Sequence, residues 1–109
     1  QEAESIMCKF GYGSEIINKV KAIILTHSCK KRLPDTLEGR ILASADAMSH
    51  FMNDFYLTIA FNDYTDVAEF KKWALSKIEK DFNEKIHFDF ARELVRKKYQ
   101  IIKQFLLLN

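Results

Sequence analysis

Only three glycines and one proline interrupt 109 residues. A chain so poor in both has few places to turn and long stretches where nothing breaks an α-helix. Two of the glycines, Gly11 and Gly13, sit almost together, so most of the chain must turn on Asn, Asp, Ser and Thr instead. The apolar residues recur at three- and four-residue intervals along nearly the whole length, and no alternating strand pattern or internal repeat competes with that period. An apolar share of 48% is too high for a disordered chain. The length suits one domain with one modest core. The fold class expected is all-α, a compact bundle of four to five helices over residues 1–109.

The segments follow from punctuation and period. A first helix covers about Glu2 to Phe10, with Ala3, Ile6, Met7 and Phe10 on its apolar side, ended by Gly11-Tyr12-Gly13. Ser14 reads as the N-cap of a second, whose row Ile16, Val20, Ile23 and Ile24 continues to His27. After the basic break Lys30-Lys31-Arg32-Leu33-Pro34, Asp35 or Thr36 caps a long third helix. At about 100° per residue, Leu37, Ile41, Ala45, Met48, Met52, Phe55 and Ile59 share the face expected to point inward. Asp66 and Glu69 have capping-box spacing for a fourth helix carrying Val67, Phe70, Ala74, Ile78 and Phe82. A further break is expected around Asn83 to His87, before a closing helix with Ala91, Leu94, Val95, Ile101, Ile102 and Phe105 inward.

A net charge of +2 is too weak to indicate nucleic acid. Trp73, Tyr64 and Tyr99 lack an interleaved basic stripe, so a base-stacking platform is not expected. No apolar run reaches membrane-spanning length, and the first residues carry no basic head or apolar signal core. Cys8 and Cys29 form no Cys-x-x-Cys pair and read as reduced thiols, so a cytoplasmic protein is expected. The composition is compatible with monomer and homo-oligomer alike.

Phosphate loops, zinc helices and serine-nucleophile elbows are absent from the sequence. The ionisable residues that remain are His27, Lys30, Lys31, Arg32, Asp46 and His50. Spacing alone favours His27 as a half-buried histidine bonded to a carbonyl, against a metal or phosphate ligand facing a pocket. Asp46 stands mid-helix among Leu42, Ala43, Ser44, Ala45, Ala47 and Met48. A carboxylate buried there unpaired would cost several kcal/mol, so a metal ion, His50 one turn on, or a Lys or Arg from another helix must compensate it. His50 is placed to meet Asp46. Lys31 and Arg32 would suit an anionic group, although three basic residues in a loop are commonly just solvated.

The stretch Ile23-Ile24-Leu25-Thr26-His27-Ser28, a short loop, and then Pro34 through Met48 with Glu38-Gly39-Arg40-Ile41-Leu42 and Ser44-Ala45-Asp46-Ala47 resembles the C-terminal half of the HD-domain metal-dependent phosphohydrolases. The lead-in from Gly11 through Glu15, Ile17 and Val20 is similar too, as is the tail Phe90-Ala91-Arg92-Glu93-Leu94-Val95-Arg96, which looks like a closing helix of small bacterial members. The resemblance is most specific over residues 23–48 and loose from about Asn62 to Asp89. It implies a helical hydrolase acting on a nucleotide or similar small phosphorylated compound through a divalent metal (Mn, Mg, Fe, Co, Ni or Zn). Asp46 then matches a metal ligand, and His27 matches a histidine that in some members joins a metal or faces substrate phosphate. Lys31, Arg32 and His50 would be substrate-side residues.

One departure bears on activity. The family's His-Asp dyad has no counterpart, since His27 is followed by Ser28, His50 by Phe51 and His87 by Phe88. Upstream helices missing from this chain, as the absent initiating Met suggests, or a degenerate copy would both account for it. With one of four expected ligands secure, the chain by itself is expected to be inactive. The alternative is a non-catalytic helical module derived from the same fold, for interaction or for sensing a ligand whose phosphate meets Lys31 and Arg32.

Overall fold

The computed structural model describes residues 2–108. Every regular element among them is helical: α1 (Glu2–Lys9), α2 (Ser14–Thr26), α3 (Leu37–Met52), α4 (Phe55–Asp63), α5 (Val67–Lys80), a π turn (Asp81–Lys85) and α6 (Asp89–Leu107). None is long and apolar enough to cross a membrane. The chain divides into two compact units, residues 1–43 and 44–109, with α3 crossing the division.

In the first unit Gly11 takes the left-handed conformation, φ 79°, that closes α1. The cap of α2 falls one residue earlier than expected. Gly13 is extended, its carbonyl accepts the Ile17 N–H at 3.1 Å, and Ser14 is the first helical residue. Lys21 of α2 donates to Glu4 of α1 at 2.8 Å. Thr36 caps α3, its hydroxyl accepting the Gly39 N–H at 3.1 Å. Gly39 is needed there for space: a Cβ would lie 2.9 Å from Pro34 Cβ and 3.0 Å from Thr36 Oγ1.

The third helix does not run to Ile59. It stops at Met52 and the chain restarts as α4, which raises the count to six α-helices. The side-chain oxygen of Asn53 accepts the Phe55 N–H at 2.8 Å, an Asx turn that takes a donor an unbroken helix would use. The inward face also differs. Leu37, Ile41, Ala45 and Met52 are exposed, while Ala43, Ala47 and Phe51 are buried. Ala47 sits in the core of the second unit, where a small side chain lets the helix approach closely and a large one would not fit.

That core collects Ala47, Phe51, Tyr56, Ala74, Ile78, Phe82, Ile86, Ala91, Val95 and Leu106. Phe82 stacks on Tyr99 of α6 with centroids 4.1 Å apart. Asp66 caps α5 as its spacing requires, accepting the Glu69 N–H at 3.0 Å. After Lys80 the helix widens into a single π turn, closed by Ile86 N–H donating to Asp81 O at 3.2 Å. Asp81, Phe82, Lys85 and Ile86 are all buried as a result.

Candidate functional site

The second unit holds a charged cluster built by α3, α4, α5 and the π turn. Its centre is Asp81, completely buried. Asp81 Oδ2 accepts from His50 Nδ1 at 2.9 Å and from the Tyr56 hydroxyl at 3.0 Å. Oδ1 accepts from Lys77 Nζ at 2.6 Å, with Lys85 Nζ at 3.7 Å. Lys85, only 3% exposed, also donates to Asp46 Oδ2 at 3.0 Å. The Asp46 side chain is 32% exposed, and its Oδ1 lies 3.9 Å from His50 Nε2, beyond hydrogen-bonding length. The cluster thus runs Lys77, Asp81, Lys85, Asp46, with His50 bonded to Asp81 and turned toward Asp46.

Each position has a local cause. Asp46 and His50 stand one turn apart on α3, and Lys77, Asp81 and Lys85 follow at four-residue steps, so each set shares a face. The break at Asn53–Asp54 lets Phe55 fold back onto the imidazole of His50, stacked at 3.8 Å, and aims the Tyr56 hydroxyl at Asp81. With Phe55 on its face and Asp81 holding Nδ1, His50 is fixed so that Nε2 looks toward Asp46.

Burial pushes the Asp81 carboxyl upward, but the His50 and Lys77 hydrogen bonds and charges outweigh it, and its pKa ends below the usual carboxylate value. Asp81 is therefore the anion that neutralises the lysines. Burial, followed by the Asp81 charge, raises the Tyr56 phenol, which stays a neutral donor. Asp46 has the compensation its position demands, and it comes from a lysine of another element.

Of the residues singled out in the sequence, Asp46 and His50 are brought together. His27, Lys31 and Arg32 belong to the first unit. His27 Nδ1 bonds to the Ile24 carbonyl at the end of α2, the plain arrangement that its spacing favours. Lys31 is exposed, and Arg32 pairs with Asp35 at 3.0 Å in an exposed contact. Tyr56, Lys77, Asp81 and Lys85 do not stand out in the sequence. The signal for three of them is the Lys77, Asp81, Lys85 row beside the apolar Ile78 and Phe82.

Asp46 is placed as one metal ligand could be, but the residues present do not amount to a metal centre. Its Oδ2 is already held by Lys85. Among the described residues no three His, Cys, Asp or Glu side chains gather as a set that could hold an ion. Chemically the cluster can fix two carboxylates in place and hold one of them at the surface. The chain matches no protein-family model, no curated protein and no solved structure.

Proposed function

We propose that this chain is part of an HD-type phosphohydrolase acting on a nucleotide or another small phosphorylated compound. Its contribution is Asp46 as one metal ligand, and it has no hydrolase activity by itself. The observation that carries the reading is the state of Asp46: a carboxylate in the middle of α3, within the stretch that resembles the family, part exposed and fixed from behind by buried Lys85. A divalent metal, when bound by a complete ligand set, would lower the pKa of its water and offset phosphoryl charge. This chain's own residues orient the carboxylate: Lys85 locates Oδ2, and Asp81 locates both Lys85 and His50.

The same ion pair favours a second reading, a non-catalytic helical module in which Lys85 has taken over the place of the cation. Calorimetric titration of Mn²⁺ into the chain, Asp46→Asn and Lys85→Met separates the two. Under the first reading Mn²⁺ binds the chain weakly, binds Lys85→Met more tightly, and binds Asp46→Asn not at all. Equal binding by the chain and Asp46→Asn, or no binding even in a folded Lys85→Met, leaves the module.

A further inference from the structure

Helix α6 carries two apolar faces, and only one is used within the second unit. Ala91, Val95 and Leu106 enter the core, with Tyr99 and Ile102 packed against it. A second stripe, Phe90, Leu94, Ile101 and Phe105, leaves every member more than half exposed, and Leu94, Ile101 and Phe105 thus face away from the core that their period assigns them to. At about 100° per residue these four fall within roughly 60° of arc, centred about 110° from the core face. Their spacings are four, seven and four residues, the same read in either direction.

We infer that this stripe is the contact for a second copy of the chain, with the two α6 helices packed antiparallel about a two-fold axis near Lys97 and Lys98. An isologous interface requires that residue i meet j and j meet i. A stripe whose spacing is its own reverse meets that requirement: Phe90 faces the other copy's Phe105, and Leu94 faces its Ile101. Antiparallel placement also sets opposite helix dipole ends side by side. Leu57 of α4, more than half exposed, lines the same groove of about 330 Å³ as Ile101 and Phe105 and so widens the patch. These five side chains offer on the order of 500 Å² of apolar surface per copy. That is somewhat over half of the roughly 800 Å² per partner of a standard interface, and Lys97 and Gln104 border the stripe and add to it. Lys97 and Lys98 meet their counterparts at the centre, which weakens the pair and makes salt strengthen it.

Sedimentation equilibrium on the full chain tests it. The wild type is expected to be a dimer at tens of micromolar. Leu94→Lys and Ile101→Glu should each weaken the dimer at least about tenfold, because each puts two charges into the apolar seam. The double variant should recover most of the loss, since the ammonium introduced at one position then faces the carboxylate introduced at the other, twice across the two-fold axis. Lys97→Gln should tighten the dimer several-fold because it removes the like-charge pair at the axis, a gain that misfolding cannot produce. A wild type that stays monomeric at several hundred micromolar overturns the proposal. So does a dimer indifferent to both single variants, or single variants that dissociate while the double variant restores nothing and Lys97→Gln tightens nothing.

Discussion

Replacing Asp81 by Asn keeps its shape and removes the one charge that all the donors of the cluster share. Three hydrogen bonds of 2.6 to 3.0 Å end on its two oxygens, from Lys77, His50 and Tyr56. The side chain is fully buried, so water cannot replace them. Removing one partner of a fully buried ion pair costs about 3–5 kcal/mol. Two features lower that figure here. Lys77 is 22% exposed and can turn to solvent, and Lys85 keeps Asp46 at 3.0 Å. The expected cost for Asp81→Asn is therefore about 2–4 kcal/mol, or a Tm lower by roughly 10–20 °C for a chain of this size. Asp46→Asn should cost only about 1 kcal/mol, since Asp46 is part exposed and Lys85 still has Asp81 at 3.7 Å. Urea denaturation of the two variants at pH 7, followed by far-UV circular dichroism, gives both values. An Asp81→Asn variant within 0.5 kcal/mol of the parent (about the scatter of a neutral surface substitution), or one no worse than Asp46→Asn, would refute the view that Asp81 organises the cluster.

Two further outcomes follow from the same structure. Because the folded-state pKa of Asp81 is depressed, its contribution is complete above the unfolded carboxylate value of about 3.9 and is lost as pH falls below that value toward the native one. The stability gap between the parent and Asp81→Asn, measured by urea titration from pH 7 downward, should hold to about pH 4 and then close. Gly39→Ala should destabilise by about 1–3 kcal/mol, although Ala is the better helix former, because its Cβ would press on Pro34 Cβ at 2.9 Å; a Tm at or above the parent's would show that Pro34 can yield.

How far the sequence discloses this fold depends on what marks each element. Gly11, Asp66 and the 3.6-residue period locate α1, α2, α5 and α6 to within a residue or two, because caps and glycines act through local geometry. The division between α3 and α4 stays hidden: the apolar period runs straight through Asn53–Asp54, and only a side-chain hydrogen bond breaks it. The inward face of α3 is misleading in the sequence because bulk draws attention to Leu37 and Ile41, while the tight packing belongs to Ala47 and Phe51. At the cluster, Asp46 is conspicuous as a charge among small apolar neighbours. Lys77, Asp81 and Lys85 are not, since charges four apart on a helix ordinarily mark a solvated side. Nothing local shows that the helix widens after Lys80 and carries two of them inside.

The π turn also fixes the length of the chain where it looks most expendable. Asn83 and Glu84 are exposed, polar and placed between two helices, the profile of a loop tip that gains and loses residues freely. Yet a π turn is an α-helix holding one residue too many. Deleting any one residue between Asp81 and Lys85 would let the backbone relax into an ordinary α-helical turn at little cost to its own hydrogen bonding. It would also carry the ammonium group of Lys85 off its station beside Asp46 and Asp81. Five residues are kept there by the charges they must position, so over this stretch related chains should vary in residue type well before they vary in residue count.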